Sequence, residues 1–306
     1  MDVSIIYVNY KTSSLIINSI ESVKKRTTDI QYEIIVVDNA SENHSLEIIQ
    51  EAYPDVICIQ ANENLGFGRA NNLGISQAKG DYIFFLNPDT VLINNAIKEL
   101  FSFIKTSKKI GACGGNLYDE NNIPTTSFSR YYPSFLWELL SIFYISPIHF
   151  IYPASSYFNK ENKPIAVASI IGADLMIKRS VLDEVGYFSP EFFMNYEETE
   201  LCHRIHKAKY KIYSVPSAHI THLEGRASYI KQSRLYYLYE GQYIYFKKTY
   251  GIGGCRLIFA ITQIKNYFRY ILFLLFNHRE KRSYWRMKLE TNRNVWNSKK
   301  IKNLLK

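Results

Sequence analysis

The sequence predicts an α/β fold built around a parallel sheet, and two observations support this prediction. Short runs of apolar and β-branched residues recur in the N-terminal part of the chain, and segments with helical spacing separate them. The runs are apolar on both faces, which is typical of parallel strands covered by helices on either side. Strands are predicted at Val3–Val8, Glu33–Val37, Val56–Ile59 and Tyr82–Leu86, and helices at Ser13–Lys25, Ser45–Ala52 and Gly68–Lys79.

Polar clusters follow three of these predicted strands. They lie at Asp38–Ser41, Asn62–Gly68 and Asn87–Thr90. In open α/β sheets, ligands bind beyond the carboxyl ends of the strands, so these clusters predict a ligand site at one edge of the sheet.

The second half of the chain predicts a mixture of strands and helices. Ala166–Ile177 has the pattern of a strand, Glu197–Lys209 that of a helix and Lys211–Val215 that of another strand. Two further helical segments follow, at Tyr229–Tyr250 and Arg256–Phe276.

Residues 131–158 differ from the rest of the chain. Phe135–Tyr152 is apolar and aromatic, but Glu138 and Pro147 argue against a continuous membrane-spanning helix. The segment is either an insertion that covers the site or touches lipid, or a buried helix followed by a loop.

The positive charge is concentrated at the C-terminus. Of the net charge of +9, most comes from Arg279–Lys306, which holds ten Lys and Arg against two Glu. A nucleic-acid-binding protein usually spreads its basic residues over a face of the fold, so we expect no nucleic-acid partner. The four cysteines form no C-x-x-C pair and the N-terminus shows no signal-peptide pattern, which predicts a cytoplasmic location.

Two segments near the predicted sheet edge have donors and acceptors suited to a nucleotide. An aspartate at the end of a strand, here Asp38, can accept hydrogen bonds from a base or a ribose hydroxyl. The glycines around Gly66 allow close backbone approach at a helix N-terminus, where Arg69 could pair with a diphosphate. The alternatives are an Asp-Asn turn that caps a helix and a glycine-rich turn with its arginine in solvent.

Acidic residues and a histidine predict a metal and a general base. Asp89 follows a buried strand, where a carboxylate can hold Mg²⁺ or Mn²⁺, and His222 could complete the metal shell or hydrogen-bond the diphosphate. Glu197, Glu198 and Glu200 begin a helix, whose N-terminus keeps a carboxylate ionised as a base requires. A turn before a helix, a structural histidine and acidic first-turn capping are the alternatives.

Taken in order, these segments resemble the inverting family 2 glycosyltransferases, especially the rhamnosyltransferase-like branch. The resemblance covers roughly residues 1–251 and rests on six segments in sequence. They are Asp38–Ser41, Asn64–Asn72, Asn87–Asp89, Gly172–Arg179, Phe192–Arg204 and His222–Ser228.

The resemblance implies a GT-A fold, with a mixed, mostly parallel sheet flanked by helices and a C-terminal helical extension. It implies that Asp89 and His222 bind Mg²⁺ or Mn²⁺ and that Glu198 is the catalytic base, with Glu197 as the fallback. The family has Asp where this chain has Glu198 and Glu200, so the base would reach about 1.5 Å further. Implied nucleotide-sugar contacts are Asp38, Asn39, Asn64, Gly66, Arg69, Asn72, Asn87 and Asp174.

The implied activity is inverting transfer of a sugar, by branch analogy rhamnose, from a nucleotide-diphosphate sugar to a hydroxyl of a glycan or lipid-linked acceptor. The reaction would serve cell-surface polysaccharide synthesis. A non-catalytic nucleotide-sugar-binding module is the alternative, because of the two Glu-for-Asp changes. A homodimer is a further expectation.

Residues 252–306 are predicted as a second domain that associates with a membrane, after a transferase domain at 1–251. Arg256–Phe276 is long enough to span a bilayer, but Lys265 and Arg269 each cost about 2.5–3.5 kcal/mol at its centre. An interfacial helix with a basic tail is therefore expected at the cytoplasmic face of the inner membrane. The alternative is a core helix with a solvated tail.

Overall fold

A computed structural model of the protein describes residues 1–41, 44–143, 157–223 and 231–306. Gly225 and Ser228 of the last motif, and Pro147, lie outside the described residues. The chain divides into two compact units, which we call the α/β unit and the helical unit. The α/β unit is Met1–Tyr132, Ala154–Pro190 and Glu198–Ser228, and the helical unit is Pro133–Pro153, Glu191–Glu197 and Tyr229–Lys306.

The first part of the α/β unit is a parallel sheet of alternating strands and helices, as predicted. β1 pairs in parallel with β2 and β4, and β2 pairs in parallel with β3. Each predicted strand and helix is present within two residues of its predicted bounds. The elements are β1 (Val3–Asn9), α1 (Ser13–Arg26), β2 (Tyr32–Asp38), α2 (Ser45–Ala52), β3 (Ile57–Gln60), α3 (Gly66–Gln77) and β4 (Tyr82–Leu86).

The rest of the sheet contains both parallel and antiparallel strand pairs. Its order is β3-β2-β1-β4-β10-β6-β11-β5, with β8 on β11, and β10 is antiparallel to both of its neighbours. A small second sheet joins β7 and β9. The elements are β5 (Thr90–Leu92), α4 (Ala96–Lys105), β6 (Ile110–Tyr118), β7 (Phe128–Ser129), β8 (Ile165–Ala166), β9 (Ser169–Ile170), β10 (Asp174–Lys178), α6 (Arg179–Val185), α7 (Glu197–Lys207) and β11 (Lys211–His222), and α5 (Phe135–Leu140) lies in the helical unit.

This architecture confirms the predicted mixed, mostly parallel sheet. The side chains of each strand alternate between two buried layers. Ile5, Val36 and Phe84 pack in the layer on one face, and Ile6, Ile35 and Phe85 pack in the layer on the other. Helices therefore cover both faces, and the carboxyl ends of β1, β2 and β4 lie at one edge.

In the second half, one strand prediction was wrong and another was too short. Ala166–Ile177 is not one strand, because β9 pairs in the small sheet while β10 pairs in the main sheet, and a turn at Ile171–Ala173 joins them. The strand predicted at Lys211–Val215 extends to His222. Pro216 cannot donate to the ladder, and the pairing of β11 with β6 shifts register between Ser214 and His219.

The helical unit contains a long kinked helix and a folded basic segment. The two helices predicted at Tyr229–Tyr250 and Arg256–Phe276 are both present among the described residues and meet at a kink at Gly251, where φ is +74°; we label them together as α8. The basic C-terminus forms two further helices rather than a solvated tail. The elements are α5, a 3₁₀ turn at Ser141–Phe143, α8 (Lys231–Leu275), α9 (Arg279–Trp296) and α10 (Lys299–Leu304).

Side chains of α8 and α9 form the core of the helical unit. Tyr243, Val295 and Ile301 are fully buried, and the rings of Phe259 and Trp296 stack at 4.1 Å. Among the described residues, no helix is both long and apolar enough to cross a membrane. The domain boundary predicted after Gly251 stays a prediction.

Candidate active site

A turn after β4 brings Asp89 to the edge of the sheet. The Asn87 amide donates to the Ala173 carbonyl at 2.9 Å, and the Thr90 hydroxyl donates to the Asn87 carbonyl at 2.7 Å. Pro88 restricts the backbone between these anchors. The turn therefore holds Asp89 in one position at the start of β5.

The structure brings Asp89 and His222 together. Thr90 and His222 are register partners of the antiparallel strands β5 and β11, and Leu223 donates its amide to the Asp89 carbonyl at 2.8 Å. The Asp89 Oδ1 and His222 Nε2 atoms are 3.3 Å apart, and each side chain is about one-tenth exposed (11% and 10%). The two residues predicted as metal ligands thus form a pair.

The pair fits a divalent cation that also binds a diphosphate. Mg²⁺ and Mn²⁺ take one or two protein ligands and fill their other positions with water and phosphate oxygens. Carboxylate oxygen suits both ions, and neutral imidazole is a common metal ligand in proteins. The described part of the chain contains no group of three or more His, Cys, Asp or Glu placed to hold a metal.

Glu198 lies in the first turn of α7, and its side chain is partly buried. Burial raises the pKa of its carboxyl, and hydrogen bonds from its own amide and from Thr199 offset part of that rise. The Thr199 hydroxyl donates to Oε1 at 3.2 Å. A glutamate with a raised pKa is suited to accept a proton near neutral pH.

The turn at Ile171–Ala173 connects the Asp89 turn to Glu198. Ala173 accepts the hydrogen bond from Asn87. At the preceding residue, Gly172, a Cβ atom would lie 3.8 Å from the Glu198 side chain and 3.4 Å from the Phe67 ring. Both acidic residues therefore flank one short backbone segment in the α/β unit.

The other two acidic residues of α7 have different surroundings. Glu200 is buried and accepts two hydrogen bonds from Arg204 Nε, at 3.0 and 3.1 Å, and one from the Ser189 hydroxyl at 2.9 Å. Arg204 also donates to the carbonyls of residues 185–187. Glu200 therefore holds the end of α6, and its replacement of Asp has a structural role. Glu197, the fallback base, is buried at the beginning of α7.

Asp38 organises the turn that follows β2. Its Oδ1 accepts from the side chains of Asn9 and Ser41, and its Oδ2 accepts from the Ser41 amide at 2.9 Å and from Gln60 Nε2 at 3.0 Å. A carboxylate can accept about four hydrogen bonds, so these four donors occupy all of its acceptor sites. A base or ribose contact by Asp38 stays a prediction and would require exchange of one of these bonds.

Asn39, Asn64 and Gly66 form one hydrogen-bonded group at the start of α3. Asn39 donates to Asn64 Oδ1 at 3.0 Å and accepts from the Leu65 amide at 2.7 Å. The Gly66 amide donates to Asn64 Oδ1 at 3.0 Å, and Gly66 has φ +76°, which a residue with a side chain rarely adopts. The three predicted donor-site residues therefore lie together, at the end of the helix that favours an anion.

Arg69 and Asn72 lie further along α3, and their side chains make different contacts. Arg69 donates its Nε to the Leu65 carbonyl at 2.8 Å and forms a loose, exposed ion pair with Glu63 at 3.7 Å. Such an exposed pair is weak, so the guanidinium can exchange it for a diphosphate. Asn72 instead bonds the backbone of Phe188.

Asp174 is fully buried at the start of β10. One carboxyl oxygen accepts from the Gly115 amide, and the other has no hydrogen-bond partner among the described residues. Burial raises the pKa of this carboxyl well above its usual range, and the Gly115 hydrogen bond offsets only part of the rise. Its donor-sugar contact, like that of Asn87, stays a prediction.

Sequence reasoning missed three residues of this site. Asn9 ends β1 at the same sheet edge and bonds Asp38, so the rule that identified the other polar clusters could have identified it. Thr199 donates to Glu198, and a Cβ atom added at Gly172 would lie 3.8 Å from the Glu198 side chain. Their positions depend on tertiary packing, which no local pattern reports.

Comparisons with known proteins identify the family of the chain. A model of the family described as Glycosyl transferase family 2 matches residues 4–186, more than half of the chain. The chain is 27% identical over 215 residues to a low-salt glycan biosynthesis hexosyltransferase, Agl10, of Haloferax volcanii, covering 69% of this chain and 64% of that protein. It is 28% identical over 188 residues to the poly-beta-1,6-N-acetyl-D-glucosamine synthase of Staphylococcus aureus, covering 61% and 41%.

A solved structure shares the fold. The crystal structure of GalNAc-T7 with UDP, GalNAc and Mn²⁺ superposes with a TM-score of 0.56 at 18% identity, covering 81% of this chain and 50% of that one. The chain thus spans less than two thirds of the length of each of these relatives.

Proposed function

Because this chain belongs to glycosyl transferase family 2, we propose that it moves a sugar from a nucleotide-diphosphate sugar to a hydroxyl of a glycan acceptor, with inversion. The observation that supports this most is the arrangement around Gly172 and Ala173. Ala173 bonds the Asp89 turn through the Asn87 amide, and a Cβ atom added at Gly172 would lie 3.8 Å from the Glu198 side chain. A site for the diphosphate and a candidate base therefore share one part of the α/β unit.

The residues that would hold a divalent ion on the diphosphate are Asp89 and His222. Support comes from their 3.3 Å separation and from the Mn²⁺ and UDP bound by the GalNAc-T7 neighbour. When bound, the ion would neutralise charge on the departing nucleoside diphosphate. The amides around Gly66 and the guanidinium of Arg69 supply further positive potential for the phosphates.

Glu198 takes the proton from the attacking hydroxyl. That oxygen forms its bond to the anomeric carbon on the face opposite the diphosphate, and the bond to the diphosphate breaks in the same step. The proton passes to Glu198 Oε, whose raised pKa makes it a competent acceptor. Direct displacement needs no covalent intermediate and inverts the anomeric centre.

The finer identity of the substrates is also a proposal. Branch analogy favours rhamnose as the sugar, whereas the two curated relatives are named for hexosyl transfer and for a polymer of N-acetyl-D-glucosamine. Both relatives make glycans by name, which supports a role in polysaccharide synthesis. The non-catalytic binding module remains the alternative, and turnover distinguishes the two.

We also propose that the helical unit associates with a membrane at its cytoplasmic face, which would suit a lipid-linked acceptor. Lys265 and Arg269 do not face solvent freely, since they bond Glu138 and the Ser141 carbonyl within the unit. A different face of α8 is apolar and exposed. It carries Leu257 (48% exposed), Ile264 (58%), Phe268 (40%) and Leu275 (77%), at helical spacing.

Basic residues lie next to the end of this apolar stripe. Arg279 and Lys281 are exposed at the start of α9, directly after Leu275 and Phe276. An anionic lipid surface matches both features, because apolar side chains enter the interface and each nearby cation adds about 1 kcal/mol.

The transferase proposal is tested by three variants in parallel. Glu198→Gln is expected to abolish sugar transfer while binding of UDP-sugars, followed by calorimetry, is retained. Asp89→Asn is expected to remove the Mn²⁺ dependence of UDP binding. Glu47→Gln, on the exposed surface of α2, serves as the control. Full transfer by Glu198→Gln would refute the assignment of the base, and Mn²⁺-linked binding without turnover on any acceptor would favour the binding module.

A further inference from the structure

The helical unit contains a cavity of about 380 Å³ that no part of the proposed reaction uses. It lies between the beginning of α8 and the middle of α9. Its volume falls in the range of roughly 300–1,000 Å³ typical of small-molecule sites. The lining residues are Gln232, Ser233, Tyr236, Tyr237, Thr291 and Asn294.

Helical spacing places these residues on one surface. The four from α8 lie in successive turns, and Thr291 and Asn294 are three residues apart on α9, so each set shares a face. The two faces oppose each other across the cavity. The site is therefore built from rigid helices.

The lining has the chemistry of a carbohydrate site. Two tyrosine rings supply flat apolar surfaces for the C–H face of a sugar, and four hydroxyl and amide side chains supply donors and acceptors. None of the six lining side chains is charged. A diphosphate or carboxylate ligand would need cationic partners, so the lining favours a neutral polyhydroxy ligand.

The Thr291 hydroxyl provides a second, independent observation that points to a ligand. The residue is only 3% exposed, and its hydroxyl has no hydrogen-bond partner in the part of the chain that the structure describes. A buried hydroxyl without a partner loses the hydrogen bonds that it makes in water. A ligand hydroxyl in the cavity would replace them.

Tyr237 is held in a fixed orientation. Phe193 stacks on its ring at 4.5 Å with an interplanar angle of 28°, and the Tyr236 ring meets it edge-on at 5.7 Å. Phe193 belongs to Glu191–Glu197, the segment that leads directly into Glu198. The aromatic platform of the cavity is thus packed against the chain segment that precedes the proposed base.

We infer that this cavity binds a neutral sugar unit of the acceptor glycan. This inference rests on the proposed function, since it assumes a glycan acceptor. The site would bind and orient the acceptor, so its contacts affect acceptor affinity and leave the donor untouched.

The test measures saccharide binding and donor binding separately on the full chain. Maltotriose, chitotriose and methyl α-rhamnoside are titrated by NMR saturation transfer, with inorganic pyrophosphate as the anionic probe. Thr291→Val keeps the side-chain volume and removes the hydroxyl, and Asn294→Ala removes an amide. At least one saccharide is expected to bind, and each variant to weaken it about tenfold, while Asn303→Ala, exposed on α10, leaves it unchanged.

Binding of UDP with Mn²⁺ is measured on the same samples. Saccharide binding that the lining variants weaken, without any UDP binding, would support the cavity and exclude a UDP-sugar as the donor. Normal UDP binding with no saccharide bound at millimolar concentration, or with saccharide binding that Thr291→Val and Asn294→Ala leave unchanged, would overturn the inference. Preference for pyrophosphate over all three saccharides would overturn it too.

Discussion

The side-chain amide of Asn72 bonds both backbone groups of Phe188, a residue 116 positions away. Its Nδ2 donates to the Phe188 carbonyl at 2.8 Å, and its Oδ1 accepts from the Phe188 amide at 3.0 Å. The Phe188 ring packs against Phe67 and Phe85. Asn72 therefore holds the chain after α6 against α3. Its amide pairs with the Phe188 backbone in the way that the backbone of a neighbouring strand does.

We predict that Asn72→Ala lowers stability rather than donor affinity. The substitution leaves two buried backbone groups of Phe188 without partners, which costs about 1–3 kcal/mol in free energy of unfolding. Thermal unfolding measures this loss, and UDP-sugar titration measures affinity. Ser76→Ala, exposed on the same helix, should change stability by less than about 0.5 kcal/mol. Unchanged stability with weakened donor binding would instead support the donor contact predicted from the sequence.

A second prediction concerns the pH dependence of transfer. Burial raises the pKa of Glu198, and the Thr199 hydrogen bond lowers it. A base must be deprotonated, so kcat/KM rises with pH through this pKa. Thr199→Val removes the stabilising donor, raises the pKa further and moves the acidic limb of the profile to higher pH. Ser189→Ala touches Glu200 rather than Glu198 and should leave the limb in place; equal shifts in both variants would contradict the assignment.

A third prediction concerns stability and the buried Asp174. Its pKa is raised in the folded protein, so the native state binds the proton more tightly than the unfolded chain. The contribution of the Asp174 carboxyl to stability is therefore greatest below its unfolded pKa of about 3.9. That contribution falls as the pH rises toward the folded pKa. Asp174→Asn stays neutral, so the Tm difference in favour of the variant should grow from acidic to neutral pH.

Asp55 provides the control with the opposite sign. The hydrogen bond from Lys24 lowers the pKa of its exposed carboxyl. Asp55→Asn should therefore lose stability slightly, relative to the natural protein, as pH rises through that pKa. A Tm difference for Asp174→Asn that does not change with pH would mean that the carboxyl is ionised in the folded state.

A fourth prediction addresses the apolar stripe of α8. The combined variant Leu257→Gln, Ile264→Gln and Phe268→Gln should reduce binding to anionic phospholipid vesicles by about tenfold or more, because burying each such side chain contributes about 1.5–3 kcal/mol. Ile123→Gln, 57% exposed in the α/β unit, is the control. Vesicle binding equal to that of the natural protein would exclude the stripe as the membrane contact. Loss of a dimer in sedimentation, with vesicle binding unchanged, would identify a second copy as its partner.

Much of the fold could be predicted because its signals are local. The strands β1, β2 and β4 are mostly apolar runs, and the polar residues after them identify the sheet edge without reference to distant contacts. The turn at Ile171–Ala173 could not be predicted in this way, since β9 and β10 join different sheets. Pairing partners decide that, and they lie far away in the sequence.

The site shows the same division between local and distant information. Asp89 and His222 were predicted separately as metal ligands, and the register of β5 and β11 brings them to 3.3 Å. The sequence could not show that Asn72 bonds Phe188, or that Glu200 bonds Arg204 and Ser189. A motif identifies residue types that suit a ligand, whereas internal hydrogen bonds decide which of them remain available to it.

The final prediction concerns the backbone just before the proposed base. Asn195 and Tyr196 both have positive φ, at +69° and +70°, which costs about 1–3 kcal/mol for each such residue. The packing of Gly241 against them supports this conformation, because a Cβ atom at Gly241 would lie 2.4 Å from the Asn195 carbonyl oxygen. Gly241→Ala should therefore displace the segment that leads into Glu198, lowering Tm and kcat together.

Gly253, on the other side of the kink at Gly251, is the control. A Cβ atom there meets no atom within 4 Å, so Gly253→Ala should stabilise the protein by up to about 1 kcal/mol through better helix propensity. Thermal unfolding and initial rates on both variants give the comparison. If Gly241→Ala were as stable and as active as Gly253→Ala, the close approach of Gly241 would have no role in holding Asn195 and Tyr196.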